Sequence, residues 1–125
     1  MSRDPSRNPP DLSVGRLKNP SNKFGAKKVR LEGHLFDSAM EAKRYGQLKL
    51  LLRAGEISDL KVHPSWPVRV NDKHICHVEL DFEYRDRLGR VHREDVKGVM
   101  TALSSIKRKL VEASHGIEVE LVRKV

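Results

Sequence analysis

Apolar positions recur at helical spacing first between Asp37 and Ala54 (DSAMEAKRYGQLKLLLRA). Glu41, Tyr45, Leu48 and Leu52 share one stripe there, Met40 and Leu51 widen it, and Lys43, Lys49 and Arg53 point away. Asp37 or Ser38 can cap the start and Gly55 can end the helix. The pattern then turns to strands. Ile57–Val62 and Trp66–Val70 are short candidates. The run HICHVELDFEY alternates, with Val78, Leu80, Phe82 and Tyr84 on one face and His77, Glu79, Asp81 and Glu83 on the other. A polar turn over Arg85–Arg90 containing Gly89 predicts a hairpin into a strand over Val91–Val99, whose Val91, Arg93, Asp95 and Lys97 share a face. Helical spacing returns over Ala102–Ser114, with Leu103, Ile106, Leu110 and Ala113 as the stripe and Gly116 as the stop. IEVELV, with Ile117, Val119 and Leu121 on one face, closes the chain as a strand. The order of a helix, three or four strands, a second helix and a last strand (α-β-β-β-α-β at its shortest), with a hairpin in the middle, predicts an α/β protein built on a mixed β-sheet.

The chain has 125 residues, which predicts one domain. Hydrophobic residues make up 38% and charged residues 34%, which excludes wholesale disorder. No apolar run approaches the ~18 residues of a membrane span, the N-terminal MSRDPSRNPP does not resemble a secretory signal, and a single cysteine, Cys76, excludes a disulfide framework. A reducing, cytoplasmic setting is the expectation. The net charge is +8. Residues 1–30 carry eight Lys/Arg against two Asp, so +6 of the excess lies there, among four of the six prolines. Residues 1–22 therefore read as a flexible basic arm, suited to a phosphate backbone or serving only as a solvated tail, and residues 23–125 as the folded domain.

The carboxylates carry the candidate chemistry. If the two middle strands pair through the hairpin, Asp81 and Asp95 come close together, which raises their pKa values unless a cation lies between them. Mg2+ suits such a place, since it takes one or two carboxylates and binds phosphate oxygens as further ligands. Lys97, two residues from Asp95, could stabilise developing charge. Equally, Asp95 and Lys97 could be an ordinary neighbour pair on a wet strand face. Glu41 has two readings as well. Ser38-Ala-Met-Glu41 fits a capping box, yet Glu41 also sits in the apolar arc of its helix, where a carboxylate needs a partner.

Taken together, these residues resemble a known superfamily. An acid on the first helix, then Asp81, then Asp95-Val96-Lys97, then a helix and a strand is similar to the PD-(D/E)XK nucleases. The segments FDSAMEAKRYGQLKLLLRAGEI, LDFEY, EDVKGVMT and KRKLVEASHGIEVELV resemble a small phage and prophage family described as a domain of unknown function, laid out like the endonuclease I type of Holliday-junction resolvase. The resemblance implies a restriction-endonuclease-like core. It also implies an Mg2+-dependent endodeoxyribonuclease (Mn2+ substituting) that hydrolyses DNA phosphodiesters, with branched DNA as the expected substrate. By the same resemblance Glu41, Asp81, Asp95 and Lys97 are the catalytic set, and Glu41, Asp81, Asp95 and the Val96 backbone carbonyl hold the metal. Two departures stand out: Leu80 replaces the motif's proline, and the second acid is Asp rather than the commoner Glu. Glu94 is an alternative acid, but alternation points it to the opposite face from Lys97.

A DNA backbone would meet Lys23, Lys27, Lys28 and Arg30, the hairpin residues Arg85, Arg87 and Arg90, and Lys107, Arg108 and Lys109. Junction resolution needs two cuts, so the resemblance implies a homodimer, and with it a bacterial host cell and a phage or prophage gene. The alternatives are a non-catalytic nucleic-acid-binding protein with the same fold, or a repair or restriction nickase. His74, Cys76 and His77 lack a second ligand pair for zinc, His63, His92 and His115 have no evident partner, and Trp66 reads as a packing residue. The chain contains neither G-x-x-x-x-G-K-[ST] nor G-x-G-x-x-G, so no nucleotide cofactor is expected.

Overall fold

The structure is a computed structural model and describes residues 27–125. The expectations for the arm, and for Lys23, lie outside the described residues. The chain is α/β, with a mixed sheet and two helices. In chain order the elements are β1 (Val29–Leu31), β2 (His34–Phe36), α1 (Ala39–Arg53), β3 (Ile57–Val62), β4 (Ser65–Val70), β5 (Lys73–Glu79), β6 (Phe82–Asp86), β7 (Val91–Val96), α2 (Ala102–His115) and β8 (Glu120–Val122). The four-stranded sheet runs β3-β6-β7-β8. β6 pairs antiparallel with β3 and β7, and β8 joins β7 in parallel after the α2 crossover.

α1 follows its pattern. Ser38 caps it, and Glu41, Ala42, Tyr45 and Leu48 are buried against the four-stranded sheet with Phe36, Phe82, Tyr84 and Val96. Before α1 the sequence pattern shows no element, but β1 and β2 form a tight hairpin, with Glu32 and Gly33 at positive φ in its two-residue turn. The Tyr45 hydroxyl donates to Glu32 at 3.0 Å, which fastens this hairpin over the helix.

The expected single strand over 74–84 is two strands. β5 pairs with β4, while β6 belongs to the larger sheet. The backbone bonds run on through the junction: Leu80 N–H donates to Pro64 O, and His63 N–H to Asp81 O, each at 2.9 Å. β3–β4 and β5–β6 are thus one long ribbon, bent where His63-Pro64 faces Leu80-Asp81. Proline cannot donate to a ladder, and His63 has φ 56, so the pleat breaks here. Residues that alternate on paper as one face then part company. Phe82 and Tyr84 pack under α1, whereas Val78 and Leu80 join Val68, Val111 and Val119 in a second cluster under α2.

α2 begins in a Thr101/Ser104 capping box and stops at Gly116 in the left-handed region. Its expected stripe is not the buried one. Leu103 and Ile106 are 46% and 54% exposed and Ala113 is exposed; Leu110 is partly buried, and Val111 is the residue fully covered. α2 lies on the two-stranded β4–β5 ribbon, which is too narrow to cover the Leu103–Ile106 side. Val111→Ala should therefore cost about 2 kcal/mol, and Ile106→Ala less than about 0.5 kcal/mol, as read by urea denaturation. Equal costs would restore the sequence-derived stripe. Among the described residues no helix is long and apolar enough to cross a membrane.

The β6–β7 hairpin forms as expected, with Gly89 at positive φ. His92 ties its base to β8, with Nε2 2.9 Å from Asp86 Oδ2 and Nδ1 2.6 Å from Glu120 Oε2. The bond to Asp86 raises the His92 pKa above its usual value, with Glu120 adding to it, and the same bond holds the Asp86 carboxyl below its usual range. The raised His92 contributes stability that is complete below about pH 6.5 and lost as pH rises through its folded pKa. Asp86 contributes above about pH 3.9 and loses its share as pH falls through its depressed pKa. Wild type is expected to lose melting temperature as pH rises from about 6.5 through the raised His92 pKa, and a His92→Gln variant should flatten that fall. An unchanged profile would rule the tie out as a source of stability.

Candidate metal site at the ribbon bend

The bend is where charged groups are buried. Glu41 comes from the first turn of α1, on the stripe that faces the sheet. Ser38 Oγ accepts the Glu41 N–H at 3.1 Å. No capping-box return bond from the Glu41 side chain to Ser38 is made; Glu41 is 8% exposed, and its Oε1 has no hydrogen-bond partner among the described residues. Asp81 is 9% exposed in the bend itself, with Oδ2 accepting the Val96 N–H at 2.6 Å. Val96 thus touches this cluster through its amide. His63, across the bend, brings Nε2 to 3.7 Å from Glu41 Oε1. One donor atom from each of Glu41, His63 and Asp81 lies within 4.8 Å of the other two.

Burial dominates the electrostatics. It raises the Glu41 pKa, assisted by the charge of Asp37 and offset in part by Asp81 and His63. The Asp81 carboxyl is pushed up to about 9, first by burial and then by the charge of Glu41; the Val96 amide opposes this, Asp95 adds to it, and Lys97 opposes it. Two carboxylates in one dry place are stable only with a proton or a cation between them. The donor set, two carboxylates and an imidazole with one oxygen left orphaned, fits a divalent cation.

Asp95 and Lys97 stand beside this cluster, with Lys97 Nζ 3.5 Å from Asp95 Oδ1. Both line a cleft of about 460 Å³ between β5 and the start of α2, with Leu80, Thr101, Ser104, Lys107 and Arg108. Asp37 and Glu79 also border it, so three bordering carboxylates face three cations. Its attraction for a polyanion therefore rises steeply if a cation neutralises Asp95. Glu94, as alternation requires, faces the other way. It is 1% exposed, held by Arg44 (2.6 and 2.8 Å) and the Tyr84 hydroxyl (2.5 Å).

The remaining expected basic contacts scatter. Lys107 and Arg108 share the cleft with Lys97, and Lys109 is exposed beside it. Lys28 pairs with Asp37, while Lys27 and Arg30 are exposed. Arg85 and Arg87 pair with Asp59 and Glu56, and Arg90 is exposed. The hairpin tip lies about 16 Å from the bend, five residues along β7 at about 3.3 Å each. The sequence pattern gave His63 no partner. The signal was His-Pro closing a strand opposite Leu-Asp, readable only once the two segments are paired. Strict alternation would put His74 and His77 on opposite faces, but they meet at 3.2 Å where the β4–β5 register shifts at Val68/Arg69. Trp66 packs as expected, under the Arg93 guanidinium.

The fold and the bend define an α/β protein with a buried carboxylate–imidazole cluster at the edge of a charged cleft. The chain belongs to the family described as "Protein of unknown function (DUF1064)", which matches residues 21–124. No curated protein and no solved structure matches it.

Proposed function

We propose that this protein is a metal-dependent endonuclease of the PD-(D/E)XK type with a restriction-endonuclease-like core, hydrolysing DNA phosphodiesters, with branched DNA as substrate and Mg2+ or Mn2+ as cofactor. The observation that carries this reading is the pair of buried carboxylates, Glu41 with an unpartnered oxygen and Asp81 beside it, next to an Asp95–Lys97 pair that opens on a cleft with basic groups. Glu41, Asp81 and Asp95 would hold the ion, and the Val96 carbonyl is the further oxygen that the resemblance assigns. When bound, such an ion polarises a phosphate oxygen and makes a water more acidic. Asp95 holds the Lys97 ammonium at the cleft wall, where it can meet charge that builds on the phosphate oxygens. Lys107 and Arg108 can position the flanking backbone without reading sequence. Two cuts at a junction would require a pair of chains, hence a homodimer.

The test is a substrate panel of four-way junction, fork, nicked duplex and linear duplex, each incubated with the full chain and Mg2+ or Mn2+. Metal-dependent cleavage strongest on the junction is expected. Binding without cleavage on every substrate would overturn the catalytic reading in favour of a non-catalytic nucleic-acid-binding protein. Preference for linear or nicked duplex would replace the resolvase-like substrate with that of a restriction or repair nickase.

A further inference from the structure

We infer that His63 is a ligand of the same ion as Glu41 and Asp81, so that the site selects a first-row transition ion such as Mn2+ over an ion that takes oxygen alone. This rests on the metal-site part of the proposed function and names a residue that neither the sequence pattern nor the family resemblance assigns.

The geometry has three parts. First, the donors are spaced for an ion. His63 N, a Glu41 oxygen and an Asp81 oxygen lie within 4.8 Å of one another. An ion with bonds of about 2.1 Å holds its ligands roughly 3 to 4.2 Å apart, so a pair at the 4.8 Å limit has to close by roughly 0.6 to 1.8 Å, within the reach of side-chain rotation. Second, the facing atoms are not already paired. Nε2 of His63 and Oε1 of Glu41 are 3.7 Å apart, beyond hydrogen-bond range. That oxygen is buried and unpartnered, on a side chain nine-tenths covered. A structural His–Glu pair would have closed to about 2.7–2.9 Å; these two face a shared gap. Third, the backbone holds His63 in place despite its cost. Its φ of 56 lies in the left-handed region, uncommon for residues other than glycine although histidine, like asparagine and aspartate, enters it more readily than most, and it precedes Pro64. Its N–H is bonded to the Asp81 carbonyl at 2.9 Å, and its ring packs against Phe36 with centroids 5.4 Å apart. The main-chain bond that fixes His63 therefore also fixes its approach to Asp81.

The chemical consequence is selectivity. Mg2+ prefers oxygen and keeps its waters, whereas an imidazole nitrogen favours transition ions. His63 would make the ion bind more tightly and more selectively, while Asp81 and Glu41 supply the charge.

The experiment uses full-length protein loaded with Mn2+, with electron spin echo modulation reporting nitrogen bound to the ion. His63→Asn is the informative variant, because asparagine tolerates the left-handed backbone and removes the imidazole. Wild type should show a 14N coupling that becomes a 15N coupling when histidine is 15N-labelled, and His63→Asn should lose it. The Mn2+/Mg2+ affinity ratio from calorimetric titration should fall at least tenfold in the variant. If Mn2+ binds stoichiometrically but without nitrogen coupling, His63 is not a ligand, while the carboxylate site stands. If wild type binds no Mn2+, or binds it just as well with Asp81→Asn, the metal-site reading itself fails, and this inference with it. The wild-type spectrum decides between these outcomes even if the variant is unstable.

Discussion

Asp81→Asn is expected to abolish divalent-ion binding and DNA cleavage while leaving the metal-free protein folded and, at neutral pH, more stable. The asparagine oxygen can still accept the Val96 N–H that Asp81 accepts at 2.6 Å, so the bend keeps its anchor. What disappears is a carboxyl whose pKa is pushed up to about 9 by burial and by Glu41. The folded pKa lies above the unfolded value of about 3.9, so the group's contribution to stability is complete below about pH 4 and is lost as pH rises toward 9. Metal-free wild type should thus weaken across that window more than the variant does. Ion binding must displace a proton, so affinity should climb with pH over the same range. Wild type in ion at 100 times its Kd should gain about 2.7 kcal/mol, and the variant nothing. Loss of a metal ligand should cost more than the 10–100-fold in affinity that an outer-shell partner costs. Scanning calorimetry with and without Mn2+, run beside the cleavage assay, checks both halves. A variant that still cleaves and is still stabilised by the ion would remove Asp81 from the site.

Arg44→Ala should be the most damaging single change to the fold. Glu94 is 1% exposed beneath α1, and its oxygens are met by Arg44 and by the Tyr84 hydroxyl. Burial and the Glu94 contact both raise the Tyr84 pKa, so that hydroxyl remains a donor. Stripping Arg44 leaves a buried carboxylate with one neutral partner, at a cost of about 3–5 kcal/mol. A domain of this size has only about 5–15 kcal/mol in total, and the melting temperature should fall by more than about 10 °C. The double variant Arg44→Ala/Glu94→Gln should recover most of the loss, since neutral Gln can still accept from Tyr84. If the double variant is no better than Arg44→Ala alone, the cost lies in lost packing by the arginine stem rather than in the orphaned charge.

The sequence pattern was most informative where one element has one buried face. In α1 the spacing of Glu41, Tyr45 and Leu48 matches the buried side, and the alternation of β7 separates Glu94 from Asp95 and Lys97. It misled where the supporting surface is narrow or bent. The α2 stripe assumed a sheet wide enough to cover Leu103 and Ile106, and a two-stranded ribbon is not. The run alternates without a break from His77 to Tyr84, but alternation says nothing about which sheet each half joins, so the break at Leu80-Asp81 was invisible. β1 and β2 are three residues each and sit among basic residues, and Glu32-Gly33 was the one cue to their turn. Glu41, Asp81, Asp95 and Lys97 were legible because carboxylates at apolar or paired positions stand out by their cost. His63 was not, because its place depends on a pairing across seventeen residues.

The bend has one more consequence. It joins two separate hydrophobic clusters, one under α1 and one under α2, and without an ion its buried acids stand together only while Asp81 keeps a proton. A polar seam with an unpartnered Glu41 oxygen is a poor conductor of cooperativity, so in chelator the α2 half should melt before the α1 half. The calorimetric enthalpy would then exceed the van't Hoff enthalpy. An ion that clasps Glu41 on the helix to Asp81 in the ribbon would weld the two halves into one melting unit and bring the two enthalpies together.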